Sequence, residues 1–153
     1  MALYNLADLS ALLAPQARLI GLDPGARRIG VALSDVARRI ASPYGTLARA
    51  KLARNAAEIQ AIAAREGAGG LIIGLPLEGG QRFGPRAQAA RDWAHALSSA
   101  TGLPVAMVDE SFTTAETHEH LIGAGISRAR RAELVDKMAA AAILQRALDA
   151  LAG

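Results

Sequence analysis

The strongest constraint on the fold is a pair of apolar runs, residues 17–23 and 28–34, separated by a turn that begins with Asp-Pro-Gly. Apolar runs of this length around a Pro-Gly turn predict two antiparallel strands joined as a hairpin. The first strand ends on the carboxylate of Asp23, and the turn carries Arg27 and Arg28. An acid at a strand end beside two arginines indicates a site that holds a divalent cation near a phosphate. The alternative interpretation is that Asp23 only begins the turn.

After the hairpin, the apolar pattern changes from strands alone to helices that alternate with short strands. Residues 38–48 predict a weaker third strand, and Pro43 and Gly45 within it suit the edge of a sheet. An amphipathic helix is predicted over 51–66, and Gly67, Gly69 and Gly70 are expected to end it. Two buried strands are predicted, at 71–73 and 105–108. The other predicted helices are one from Pro85, one over 113–123 and a final one of about two dozen residues from Ser127. The order predicts an α/β fold with a mixed five-stranded sheet flanked by helices.

The N-terminal residues predict a helical extension of one domain that spans residues 1–153. Leucines at helical spacing over residues 5–14 precede Pro15, so residues 1–16 are interpreted as a helix packed on the outside of the domain. A frayed arm is the alternative. The sequence contains no cysteine and no apolar run long enough to cross a bilayer. These features lead us to expect a cytoplasmic protein with no membrane partner.

Three further acids lie at positions where they can join Asp23. Asp109 and Glu110 end the last predicted strand, and Asp136 lies in an otherwise apolar part of the final helix. Because the carboxyl ends of parallel strands meet at one edge of a sheet, these acids are expected to converge there. Clustered carboxylates repel one another unless a cation lies between them, and oxygen ligands suit Mg²⁺ or Mn²⁺. The alternatives are a solvated strand end that also caps the following helix for Asp109 and Glu110, and a pair with neighbours of Lys137 or with an arginine on the adjacent helix for Asp136.

Arginines supply most of the net charge of +3 and suggest contacts with phosphate groups. A glycine-rich loop over residues 75–84 carries Arg82, and Arg86 follows in the next helix, so both are candidate contacts to a nucleic-acid backbone. Arg130 belongs to a second basic cluster at the start of the last helix. A solvated face is the alternative for that cluster. The spacing of Trp93, the only tryptophan, favours a role in the core over base stacking.

Four segments in a fixed order carry a family resemblance. They are LDPGARRIGVALSD, IIGLPLEGGQRFGPRAQ, VDESFTTAE and RAELVDKMAAAAIL, and together they resemble the YqgF family, also called the RuvX or Holliday-junction-resolvase-like family. The resemblance extends from Arg18 to about Leu148. It implies a ribonuclease-H-like fold related to the RuvC resolvase and a bacterial nuclease, with processing of precursor small-subunit ribosomal RNA as the favoured role.

The resemblance also implies which residues form the site. The catalytic and metal-binding acids are then Asp23, Glu110 with the adjacent Asp109, and Asp136. Arg27 or Arg28 matches the basic part of the family's first turn. The chain departs from the family at Ser111, where arginine is usual, and at residues 77–80, which read Leu-Glu-Gly-Gly instead of Asn-Met-Asp-Gly.

The functional expectation is a nuclease that uses Mg²⁺ or Mn²⁺ to hydrolyse phosphodiester bonds in the precursor of 16S rRNA. Water is the expected nucleophile, and the protein is expected to act as a monomer or homodimer. Two alternatives remain open at this point. One is an endonuclease that cleaves branched DNA as a Holliday junction resolvase does, and the other is a non-catalytic RNA-binding factor in ribosome assembly.

Overall fold

The computed structural model describes residues 3–76, 84–109 and 127–152. The strands and helices in these ranges are, in chain order, β1 (Leu3–Tyr4), α1 (Leu6–Leu12), β2 (Arg18–Pro24), β3 (Arg28–Ser34), β4 (Ala41–Ala48), α2 (Leu52–Glu66), β5 (Ala68–Leu75), α3 (Pro85–Thr101), β6 (Val105–Asp109) and α4 (Arg128–Ala152). The predicted helix over 113–123 lies outside the described residues.

The strands form one mixed sheet in the order β1-β6-β5-β2-β3-β4. β2, β3 and β4 are an antiparallel meander, and β5 pairs parallel with both β2 and β6. The predicted hairpin and the edge position of the third strand are therefore confirmed. The predicted number of five strands is wrong, because Leu3 and Tyr4 pair parallel with Val105 and Ala106 as a sixth strand. A two-residue strand is too short to produce an alternating pattern in the sequence.

The predicted N-terminal helix is present and covers the sheet. The Asn5 side chain accepts a hydrogen bond of 2.8 Å from the backbone N–H of Asp8, which caps the start of α1. Leu9 is fully buried in this helix. The segment is therefore a packed part of the core rather than a frayed arm.

The two faces of the sheet are covered by different helices. α2 and α3 cover one face, whose core is mainly bulky aliphatic and includes Ile20, Leu22, Ile59, Ile73 and Leu97. α1 and α4 cover the other face, whose core mixes leucine and isoleucine with many alanines, including Ala32, Ala106, Ala140 and Ala147. Helices on both faces of a largely parallel sheet are the arrangement that the sequence predicts.

The glycines after α2 do not all end that helix. Gly67 alone does so, in the left-handed conformation with a φ of 72°, and its N–H donates to the carbonyl oxygen of Ala63. Gly69 and Gly70 lie within β5, which begins earlier than predicted. A Cβ atom on Gly70 would lie 3.1 Å from Leu19 and 3.2 Å from Leu9, so this glycine allows α1 to pack closely on the sheet.

Two further predicted helices lie within the described residues and agree with the structure. α3 begins at Pro85, and α4 is 25 residues long, as expected for the final helix. Within the described ranges, every helix is too short or too polar to cross a lipid bilayer.

Candidate active site

Asp23 lies near the carboxyl end of β2, where a tight turn leads into β3. The backbone N–H of Gly25 donates to the carbonyl oxygens of Asp23 and Arg28, both at 3.0 Å. A Cβ atom on Gly25 would lie 2.7 Å from the Arg28 carbonyl oxygen, so the turn requires glycine. The hairpin therefore holds the backbone of Asp23 in one position.

Asp136 approaches the same end of the sheet from α4, about two turns after the start of that helix. Gly30, the strand partner of Asp23, faces the backbone of α4. A Cβ atom on Gly30 would collide with the carbonyl oxygen of Asp136, so only glycine allows this close contact. The packing of a helix backbone on a strand backbone brings Asp136 to the site.

Asp23 and Asp136 line one cavity of about 390 Å³. Its other lining residues come from the turn after β2, the ends of β4 and β5 and the first half of α3; they include Gly25, Arg49, Pro76, Arg86 and Trp93. The prediction that these two acids converge at the carboxyl edge of the sheet is consistent with this placement.

Arg28 contacts an acid of the site. Its Nε donates to Oδ2 of Asp136 at 2.5 Å, and the two side chains are 39% and 23% exposed. This ion pair joins the hairpin to α4 and neutralises one carboxylate of the cavity. Asp136 thus has an arginine partner, as one alternative expected, but the arginine lies on strand β3 and not on the adjacent helix.

Asp109 is not among the residues that line the cavity, although it ends β6 as predicted. Side chains alternate along a strand, and Val108 packs in the core on the α4 face while Met107 packs on the opposite face. The alternation places Asp109 on the side of Met107, away from the face that carries Asp136. Within residues 3–76, 84–109 and 127–152, no three acids or histidines are grouped closely enough to hold a metal ion.

Glu110 and Arg82, two of the predicted site residues, lie outside the described residues. The other predicted phosphate contacts are dispersed. Arg86 lines the cavity, Arg27 is exposed on the turn after β2, and Arg130 is exposed in the first turn of α4 and does not line the cavity.

Two residues that the sequence analysis did not assign to the site also line the cavity. Arg49 follows β4, and its guanidinium carbon lies 5.1 Å from the centroid of the Trp93 ring. Trp93 packs against the core of the α2–α3 face, as its spacing predicts, and it also forms part of the cavity wall. The pairing of β4 with β3 is the signal that places Arg49 next to the hairpin turn.

Asp35, the second acid of the hairpin, has a structural role. Its carboxylate accepts hydrogen bonds from the backbone N–H groups of Arg39, at 2.8 Å, and Ile40, at 3.1 Å. These bonds lower the pKa of the Asp35 carboxyl below its ordinary value. Asp35 thus organises the loop between β3 and β4.

The antiparallel meander continues into parallel strands, and acids stand at the end of the first long strand and on the last helix. This arrangement defines the ribonuclease-H-like class of α/β proteins. The structure agrees with RuvC of T. thermophilus bound to a Holliday junction substrate, at a TM-score of 0.54, 17% identity and coverage of 90% of this chain and 96% of that chain. At this identity the likeness establishes the fold alone.

The chain belongs to the RuvX family, also called YqgF. The family described as "RuvX: Holliday junction resolvase" matches residues 17–150. A protein of Acidiphilium cryptum named "Putative pre-16S rRNA nuclease" is 58% identical over 99% of this chain and 96% of its own length. A protein of Gluconacetobacter diazotrophicus with the same name is 55% identical over 99% of both chains.

Proposed function

We propose that this chain is a metal-dependent nuclease that cleaves the precursor of 16S rRNA. The observation that carries the proposal is that two carboxylates, Asp23 and Asp136, line one cavity together with the basic side chain of Arg86. Relatives named as pre-16S rRNA nucleases over nearly the full chain support the choice of substrate.

The donor chemistry of the cavity fits Mg²⁺ or Mn²⁺. The acids offer only oxygen ligands, and the chain contains no cysteine that would favour a softer metal. Asp23, Asp136 and Glu110 would hold the ion, with Glu110 assigned from the family resemblance. When bound, a divalent ion supplies positive charge that stabilises the phosphoryl oxygens and lowers the pKa of water.

The chain's own residues orient the acids and the substrate. The Gly25 turn fixes the backbone of Asp23, and the ion pair from Arg28 fixes the rotamer of the Asp136 carboxylate. Arg86 supplies a cationic side chain for a phosphate in the cavity. Arg27 and Arg130 are proposed contacts to phosphates outside the cavity, and Arg82 remains a proposed phosphate contact from the sequence.

Asp23→Asn tests this function directly, because it keeps the size of the side chain and removes the charge that binds a cation. We expect Mn²⁺-dependent cleavage of a precursor 16S rRNA fragment to fall by at least about two orders of magnitude, with the thermal midpoint retained. Asp35→Asn is the matched control, since it makes the same change in the same hairpin outside the cavity. Equal cleavage by Asp23→Asn and the wild type would refute the proposed role of Asp23.

A second candidate activity is cleavage of a four-way DNA junction, which the description of the matching family favours. The same assay with a four-way junction in place of the rRNA fragment separates the two substrates. Preferential cleavage of the junction would replace rRNA by branched DNA as the substrate. Metal-independent RNA binding without cleavage of either substrate would favour the non-catalytic assembly factor.

A further inference from the structure

Arg49 connects two sides of the cavity wall. Its backbone N–H donates to the carbonyl oxygen of Arg27 at 2.8 Å, and Nη1 of its guanidinium donates to the carbonyl oxygen of Gly25 at 2.9 Å. The guanidinium also lies over the ring of Trp93, which belongs to α3. Arg49 is therefore fixed between the turn that follows Asp23 and the helix on the opposite side of the cavity.

Its contacts with other described residues leave most of the hydrogen-bonding capacity of Arg49 available. A guanidinium carries five N–H donors, and the bond to Gly25 uses one of them. The contact with the Trp93 ring orients the guanidinium plane without using a donor. Within the described residues, Arg49 forms no ion pair with a carboxylate. Its charge and several donors are thus held in place before a ligand arrives.

The cavity wall carries side chains of both charges that a nuclease uses to bind its substrate. Asp23 and Asp136 are suited to cations, whereas Arg49 and Arg86 are suited to the phosphates of a nucleic-acid strand. A volume of about 390 Å³ lies within the range of pockets that hold one small ligand and is far too small for a duplex. The backbone of one strand can therefore enter the cavity, whereas a whole duplex cannot.

We propose that Arg49, held against Trp93, forms with Arg86 a phosphate subsite that anchors one nucleic-acid strand beside the acids. The inference rests on the proposed nuclease function and adds the form of the substrate: an unpaired strand bound through a phosphodiester next to the one that is cleaved. Arg49 is a positioning residue in this scheme. Trp93 keeps its guanidinium in place and forms the apolar part of the wall.

Trp93 makes the subsite measurable because it is the only tryptophan of the chain. The test titrates the protein with single-stranded decamers of uridylate or thymidylate in EDTA, where a metal-dependent nuclease cannot cleave them. We expect the fluorescence of Trp93 to change on binding, and the logarithm of affinity to fall linearly with the logarithm of salt concentration. Tighter binding of the uridylate decamer would assign the strand to RNA, and tighter binding of the thymidylate decamer would assign it to DNA.

Substitution of the arginines shows whether they contact phosphate. Arg49→Ala and Arg86→Ala are each expected to weaken binding about tenfold and to reduce the salt slope by about 0.7, the value for one phosphate contact of a single strand. Arg49→Lys retains the charge and is expected to retain the slope. Arg146→Ala is the matched control, because this exposed arginine lies about 15 Å along α4 from Asp136 and does not line the cavity.

A salt slope for Arg49→Ala equal to that of the wild type would overturn the proposal, as would an equal reduction by Arg146→Ala. If Arg49→Ala fails to fold, Arg49→Gln and Arg86→Ala, which also remove one charge each, decide the question with the same measurement. The cleavage assay keeps this test separate from the nuclease itself. Reduced slopes without cleavage of any substrate would refute the nuclease and leave the subsite, whereas cleavage with unchanged slopes would refute only the subsite.

Discussion

The two faces of the sheet are packed in opposite ways, and the difference separates stability from the candidate site. On the α2–α3 face, large aliphatic side chains such as Ile59 and Ile73 fill the space between helix and sheet. On the α4 face, Gly21 and Gly30 allow the backbone of the helix to approach the strands closely. Bulky packing needs only volume and apolarity, whereas contact between backbones fixes where each helical residue lies. Asp136 is positioned by the second kind of packing.

Polar contacts hold α4 in each of its two halves. The Arg28–Asp136 ion pair joins the N-terminal half to the hairpin. Toward the other end, the side chain of Gln145 accepts a hydrogen bond from the N–H of Ala41 and donates one to the carbonyl oxygen of Arg39, both at 2.8 Å. The helix that carries an acid of the candidate site is therefore fixed by polar contacts as well as by close backbone packing.

Gly30→Ala is expected to give the largest effect on stability, since it breaks the close packing of the α4 face. The added Cβ collides with the carbonyl oxygen of Asp136, which belongs to a helix backbone and cannot rotate away. We expect a loss of about 3 kcal/mol in the free energy of unfolding, measured by urea denaturation, together with reduced cleavage because Asp136 is displaced.

The matched change on the other face is Ile73→Val, which removes one carbon where Gly30→Ala adds one. Ile73 is fully buried, and we expect a loss of about 1 kcal/mol with cleavage retained. Equal losses of stability and activity in the two variants would show that the faces do not differ in the way described.

Arg28→Gln tests the contribution of the ion pair on the α4 face, because it removes the ionic link between the hairpin and α4. Because the pair is partly exposed, the cost to stability is expected to be about 0.5 kcal/mol. The affinity for Mn²⁺ is expected to rise about fivefold, since a positive charge that opposes the ion is lost. Calorimetric titration with Mn²⁺ measures this change.

Arg27→Gln is the control for that experiment, with the same change of charge in the same turn and an exposed side chain. A weaker affinity for Mn²⁺ in Arg28→Gln than in Arg27→Gln would mean that Arg28 supports the ion instead of competing with it.

Asp35→Asn is expected to have the smallest effect, and one that depends on pH. The hydrogen bonds from Arg39 and Ile40 lower the pKa of Asp35 in the folded state, so this carboxylate contributes stability above its ordinary pKa of 3.8. The contribution is lost as the pH falls through the lowered pKa. Thermal midpoints measured from about pH 6 down to about pH 2 are expected to differ most between wild type and variant near neutral pH and to converge in acid. A difference that is constant with pH would contradict the assignment.

Much of the fold could be predicted from the sequence because it depends on local patterns. The hairpin, the edge strand interrupted by Pro43 and Gly45, and the helices that begin at Leu52 and Pro85 all follow from apolar periodicity and turn residues. Asp23 could be proposed as a site residue because it stands at a strand end beside a turn. β1 could not be predicted, because two residues are too few to show the alternating apolar pattern of a strand. Their pairing with β6 depends on the whole sheet.

The candidate site divides in the same way. The presence of acids at the end of β2 and within α4 follows from the sequence, because their positions along the chain depend on local structure. Long-range packing was needed to show that Arg28 pairs with Asp136, that Arg49 lies over Trp93 and that Asp109 is left outside the cavity. Each of these outcomes depends on strand order and on how closely α4 approaches Gly30, which are set by contacts between residues far apart in the chain.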